Sequence, residues 1–299
     1  MKNYLEVKEG KNTFLRYVSS ILVTILFVLI GSIVYAIIEI IRVELDSSDS
    51  TYFDLESATV VGGNEVLGLL LSHIPYLFAL VGLWISVRFI HKRKFRTLVT
   101  AEKSWNWRRV FLGFAIFAIL FLLTTGIDLI FNFDDYQWNN VSLQEYLFLI
   151  FVVLVFVPIQ TTTEELMFRG LLLQLIGKIL KKPFWLALVI GIIFGALHFA
   201  NPEMNKSFIL VGLDYIVAGF GLTYIAVKTG SLELSIGAHA ANNMIICLLF
   251  TTTDSVAGEI PSLFRVAEGN PLLTLIWSIV LFIAFYFWSM KVVKKESIR

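Results

Sequence analysis

Apolar residues in this chain fall into long unbroken runs separated by short polar stretches, and nowhere into the strict alternation of a half-buried strand. A helix needs about 20 apolar residues to cross roughly 30 Å of hydrocarbon. Eight segments read as such spans: about 18–41, 65–90, 110–131, 145–180, 184–200, 208–228, 234–252 and 271–290. The fourth is overlong and the fifth short, which marks that region as irregular. A membrane barrel would alternate apolar and polar positions, so helices are the only spanning element left. No repeat, low-complexity tract or linker interrupts the pattern. It predicts an all-α polytopic membrane helical bundle of about eight transmembrane helices, forming a single domain over residues 1–299.

Composition strengthens this picture. Hydrophobic residues make up 57% of the chain and charged residues 16%, with a mean hydropathy of +0.79, whereas soluble domains are roughly a quarter charged. The net charge of +1 leaves no basic face for nucleic acid. Cys247, the single cysteine, sits inside an apolar run and offers no disulfide framework. The first run is too long for the apolar part of a cleavable signal and lacks a small-residue cleavage site, so it reads as a retained span.

Charge then orients the bundle. The segments MKNYLEVKEGKNTFLR, HKRKFRTLVTAEKSWNWRR, KILKK and KVVKKESIR hold most of the Lys and Arg, and with eight spans all four fall on one side. The alternate loops are poor in basic residues, so the positive-inside rule places both termini in the cytoplasm. Trp105, Trp107, Trp138 and Trp185 near span ends suit interfacial anchors.

Ionisable residues inside spans mark functional sites by default, because burying them in lipid costs a few kcal/mol or more. Glu164, Glu165, Arg169, His198 and His239 form that set, with Asn242 and Asn243 as polar company. Asp214 and Glu39 lie nearer span ends, within reach of water, and His73 reads as a packing residue. The stretch TTTEELMFRG also has a purely local reading. Thr162-x-x-Glu165 matches a capping box and Pro158 precedes it, which fits a helix beginning there.

Helical spacing separates the three charges. Glu165 and Arg169 are four apart, acid first, and can pair along one face. Glu164 is rotated about 100° from that pair, which leaves it free to act as a base or to bond the Thr161 or Thr163 hydroxyl. In GIIFGALH, Gly191 and Gly195 form a small-residue seam for close helix approach, and Phe194 and His198 lie one turn apart. In GAHAANN, His239 and Asn243 project from one helical face as paired donors. They suit either an oxyanion or an interhelical hydrogen bond.

Glu164-Glu165-Leu166-Met167-Phe168-Arg169, then Phe194-x-x-x-His198, then His239-x-x-x-Asn243 resemble the EExxxR, FxxxH and HxxxN motifs of the CPBP family. These are the type II CAAX prenyl endopeptidases and bacterial bacteriocin-processing relatives, also called Abi. The resemblance covers roughly residues 145–255 as a catalytic core and implies an intramembrane endopeptidase. It implies that Glu164 and His198 activate a water, that His239 and Asn243 form the oxyanion site, and that Glu165 and Arg169 support them.

One feature resists the helical reading. At about 1.5 Å per residue, His198 lies about 21 Å deep in its span and His239 only about 8 Å in its own. Catalytic partners cannot be so separated, so the stretch KTGSLELS is expected to dip into the protein before His239. A metal-free mechanism, with no cofactor, gives every motif residue a task. The alternative is a zinc site of Glu164, His198 and His239, but no H-E-x-x-H helix is present. The expected partners are the lipid bilayer and a membrane-associated peptide or protein substrate. A non-catalytic scaffold or bacteriocin-immunity protein on the same fold is the rival reading. An ion-coupled transporter is disfavoured by the lack of internal repeats. The Lys-, Ile- and Phe-rich composition suggests a bacterial cell membrane and a leader-peptide or pheromone substrate.

Overall fold

The computed structural model describes residues 4–46, 51–54, 59–252, 255, 260–267 and 269–296. Its helices are α1 (Phe14–Leu45), α2 (Glu65–Leu71), α3 (Ile74–Ile85), α4 (Trp107–Phe131), α5 (Leu143–Glu165), α6 (Leu173–Ile176), α7 (Pro183–Ala196), α8 (Phe208–Thr229), α9 (Glu233–Leu249) and α10 (Pro271–Glu296). Among the described residues, six stretches are long and apolar enough to cross a membrane. The expected spans 184–200 and 234–252 fold instead as the shorter α7 and α9, 14 and 17 residues long.

The outer surface is that of a protein solvated by lipid. Along α1, Leu22, Leu26, Leu29, Ile33 and Ile37 face outward, while Tyr17, Ser20, Thr24 and Glu39 are buried. Polar side chains turn inward because hydrocarbon offers them no partner. Glu39 and Asp214, expected to reach water, obey the same rule. Glu39 is buried and meets Arg42 at 3.0 Å, and the Oδ1 of Asp214 is shut off from solvent.

The all-α expectation needs one addition. Two small sheets lie between helices: β1 (Tyr52–Asp54) with β2 (Thr59–Val61), and β3 (Tyr136–Trp138) with β5 (Phe264–Val266) and β4 (Phe250–Thr251). In the second sheet β5 is central, antiparallel to β3 and parallel to β4. It joins the acidic loop after α4 to the segment after α9, two of the loops that charge placed on one side.

At the other end three basic segments meet. Arg96 pairs with Glu9 at 2.8 Å, the Lys11 N–H donates to the His91 carbonyl at 2.7 Å, and Lys181 lies 3.8 Å from Glu6. The extreme ends of the first and last basic segments, 1–3 and 297–299, lie outside the described residues.

Two expected helices differ in their interior. The second span breaks at His73, and α3 restarts with a proline in its first turn. The fourth does the reverse: no helix begins at Thr162. A continuous helix runs over Leu143–Ile176, through Pro158 and into a π-helical turn at Leu166–Leu172. Its real start is Ser142, whose Oγ accepts the Glu145 N–H at 3.2 Å and donates to the Glu145 carboxylate at 2.7 Å. The Thr161 and Thr163 hydroxyls donate back to the Val157 and Ile159 carbonyls at 3.0 and 2.7 Å. They therefore do not bind Glu164.

Close helix approach sets where the motif helices sit. A Cβ on Gly191 would come within 2.8 Å of the Phe220 backbone nitrogen, so the expected seam is real and packs α7 on α8. A second seam holds α9 on α4: a Cβ on Gly237 would run into the Val110 carbonyl oxygen.

Candidate functional site

Glu165 and Arg169 form the centre of the site. Both are fully buried, and Arg169 Nη1 donates to Glu165 Oε1 at 3.0 Å. A buried guanidinium carries five donors and tolerates few left unpaired. Its other nitrogens reach α8: Nε donates to Thr223 Oγ1 at 3.1 Å and Nη2 to the Gly219 carbonyl at 3.2 Å. Its planar face lies over the Phe194 ring, 4.4 Å from the centroid, a favourable cation–π arrangement. Phe194 of the FxxxH motif thus gains a physical role that spacing could not reveal. The π turn places Arg169 where α7 and α8 both meet it, and such turns recur at functional sites.

The Glu165 Oε1 that accepts from Arg169 also accepts His239 Nδ1–H at 2.9 Å. A histidine tied through Nδ1 turns Nε2 outward, and this Nε2 lies 3.8 Å from Glu164 Oε2. Glu164 has the independence that helical spacing predicted: it bonds neither Arg169 nor a threonine, and accepts Gln160 Nε2–H at 3.2 Å. Glu164 and His239 are mostly buried, at 8% and 7% exposure.

His198 follows the last turn of α7. Its Nδ1–H donates to the Phe194 carbonyl at 2.8 Å, which again leaves Nε2 as the free nitrogen. Its ring packs on Phe194, which also edges His239 at 6.2 Å between centroids. Asn243 is half-buried on α9, and its Oδ1 accepts Asn242 Nδ2–H at 3.0 Å, leaving its own amide N–H groups available. The structure thus gathers Glu164, Glu165, Arg169 and His239 into direct contact, with His198 joined to them through the shared Phe194 ring. Asn243 lies one turn beyond His239.

The connection before α9, expected to dip into the protein, is buried. The left-handed Gly230, at φ 72°, ends α8 and turns the chain inward. Every residue from 231 to 241 is buried. The loop after α3 covers this turn: the Leu232 N–H donates to the Val99 carbonyl at 2.9 Å. The buried carboxylate of Glu233 accepts the Asn106 N–H at 2.7 Å and the Ser231 hydroxyl at 2.8 Å. Non-helical backbone at membrane depth is allowed under such protein cover.

Three partners escaped sequence reasoning. Gln160 was within reach, since it stands four residues before Glu164 on one helical face. Thr223 and Tyr4, whose hydroxyl contacts the Arg169 carbonyl at 2.9 Å, come from distant segments with no local signal. Burial pushes the Tyr4 phenol well above its usual range, so it remains a donor there. Among the described residues, no three His, Cys, Asp or Glu side chains are gathered closely enough to hold a metal ion.

Comparison with known proteins agrees with the motif geometry. A family model described as type II CAAX prenyl endopeptidase Rce1-like matches residues 143–245. The Uncharacterized protein YyaK of Bacillus subtilis (strain 168) is 42% identical over 272 residues, 91% of this chain and 90% of that protein. The first match runs through all three motif helices and the second through most of the chain, and together they make this protein a member of the type II CAAX prenyl endopeptidase Rce1-like family.

Proposed function

We propose that this protein is an intramembrane endopeptidase that hydrolyses a peptide bond of a membrane-associated protein or peptide. The observation that carries this reading is the pairing of Glu165 with both Arg169 and His239. That pairing occupies one carboxylate and leaves its neighbour Glu164 beside the free nitrogen of His239. Glu164, with His198, takes a proton from water as the water oxygen attacks the scissile carbonyl carbon. The carbonyl electrons pass to oxygen, and His239 and Asn243 donate to that oxyanion. Nε2 of His239 becomes a donor on taking a proton, and Glu164, 3.8 Å away, is placed to supply one. Collapse of the intermediate breaks the C–N bond, and the leaving amine takes up the proton.

We favour a glutamate-type over a metallopeptidase mechanism because Asn243, one turn from His239, is a good donor and a poor metal ligand. The clustering of basic segments at one end supports cytoplasmic termini. On that reading α7 and α9 complete eight passes, and a Bacillus relative supports a bacterial cell membrane. Co-expression of wild type and Glu164→Ala with candidate membrane or leader peptides tests the reading. Cleavage by wild type alone is expected. Equal cleavage by both would remove Glu164 as the base, and peptide binding without cleavage by either would favour the scaffold or immunity role.

A further inference from the structure

The turn after α7 is built back onto His198. The Asn201 N–H donates to the His198 carbonyl at 3.0 Å, and Asn201 Nδ2 donates to the Tyr215 hydroxyl on α8 at 3.0 Å. That hydroxyl in turn donates to Glu203 Oε1 in the same turn. The Tyr215 ring then stacks on the His198 imidazole, 4.3 Å between centroids with 23° between planes. Phe194 flanks the same imidazole at 4.5 Å and 41°. The circuit from His198 through Asn201 and Tyr215 back to His198 is therefore closed.

One hydrogen bond from Nδ1 leaves an imidazole free to librate about that bond, swinging Nε2 through the site. A near-parallel aromatic ring removes this freedom, because offset stacking favours one ring plane. The hydroxyl contacts to Asn201 and Glu203 prevent Tyr215 from following the imidazole when it tilts. We propose that Tyr215 is a positioning residue for His198, setting the imidazole plane and hence the direction of Nε2. This deepens the endopeptidase reading and rests on it. Nothing in the motif spacing points to Tyr215, which lies seventeen residues beyond His198 on the next helix.

The test measures kcat and KM on the same cleaved peptide for wild type, Tyr215→Phe, Tyr215→Leu and Glu164→Gln, with thermal midpoints in detergent. Displacement of a catalytic group by about 1 Å can cost about 100-fold. Tyr215→Leu is expected to lower kcat by about 10–100-fold with KM within about 2-fold, the split that marks lost transition-state alignment rather than lost binding. Tyr215→Phe keeps the stacked ring but loses the hydroxyl contacts to Asn201 and Glu203, and is expected to fall between wild type and Tyr215→Leu. A Leu variant with wild-type kcat, or a Phe variant as damaged as Leu, overturns the positioning role. If Tyr215→Leu does not fold, Tyr215→Phe and Tyr215→Trp decide. A folded aromatic variant within about 5-fold of wild-type kcat supports the proposal, and one that loses more than about 10-fold overturns it. Glu164→Gln separates the two levels: if it cleaves like wild type, the site reading itself fails. If it is inactive while Tyr215→Leu is normal, only the positioning role fails.

Discussion

Glu164 and Glu165 are adjacent in sequence and opposite in circumstance, and that difference organises the predictions at the residue scale. Glu165 has Arg169 and His239 on one oxygen and no exposed surface. Removing one partner of such a pair leaves an uncompensated buried charge, typically costing about 3–5 kcal/mol. Arg169→Ala should therefore accumulate poorly or lose thermal stability, and adding Glu165→Gln should restore part of it. Independent, additive effects in the double-mutant cycle would contradict the coupling. Glu164→Gln and His198→Ala should instead accumulate normally and each abolish cleavage. Members of one catalytic unit fail together, so the double variant should be little worse than either single one. Metal dependence is also decided among these residues. Exhaustive treatment with a strong chelator should leave cleavage intact. Stoichiometric zinc whose removal stops turnover and whose return restores it would make His239 a ligand.

Elements are positioned by glycine contacts as much as by apolar faces. In α9, Gly237 lies two residues before His239 and lets the helix backbone touch the Val110 carbonyl of α4. Gly237→Ala should push α9 outward, lengthen the His239–Glu165 contact and reduce both accumulation and cleavage. Gly126 in the same α4 has nothing within 4 Å of where a Cβ would stand, so Gly126→Ala should match wild type in both readouts. Similar losses in the two variants would mean that the α4–α9 seam does not set the site. The glycines of GIIFGALH were legible as a seam because they recur at a four-residue interval. Gly237 was not, because the Val110 carbonyl that it meets lies in a distant helix.

For the molecule as a whole, the end carrying the basic segments acts as a clasp on the motif helix. Tyr4, near the start of the chain, contacts the carbonyls of Leu98 and Arg169. His91 accepts the Lys11 N–H on its carbonyl and faces Lys11 and Asn12 through Nδ1. Burial, with Arg93, Arg16 and Lys178 nearby, lowers the His91 pKa to about 4 from an ordinary 6.5, even with the opposing pull of the Lys11 carbonyl. The folded form then resists a proton that the unfolded chain accepts. Stability is fully present above about pH 6.5 and is lost as pH falls toward about 4. Thermal midpoints across that window should decline in wild type and flatten in His91→Gln; parallel profiles would show that His91 does not govern the clasp.

The sequence by itself determined the solvent and marked the residues on which the proposed chemistry rests. Runs of about 20 apolar residues can be satisfied only as helices in lipid. Three polar motifs placed in those runs carry too high a desolvation cost to be idle. Helical spacing alone also separated Glu164 from the Glu165–Arg169 pair, because angular position along one helix is a local property. What lay beyond the sequence was long-range. The helix start was misread because Thr162-x-x-Glu165 and Ser142-Leu-Gln-Glu145 are alike as local patterns, and only the uninterrupted backbone through Pro158 distinguishes them. His239 was expected to share a face with Asn243, but its bond to Glu165 spans 74 positions. Phe194 lies over Arg169, and Thr223 completes its donor set, only because α7 and α8 close around the π turn. The tertiary structure decided these contacts, since they depend on how far helices approach, and that distance is set by glycines and turns far apart in the chain.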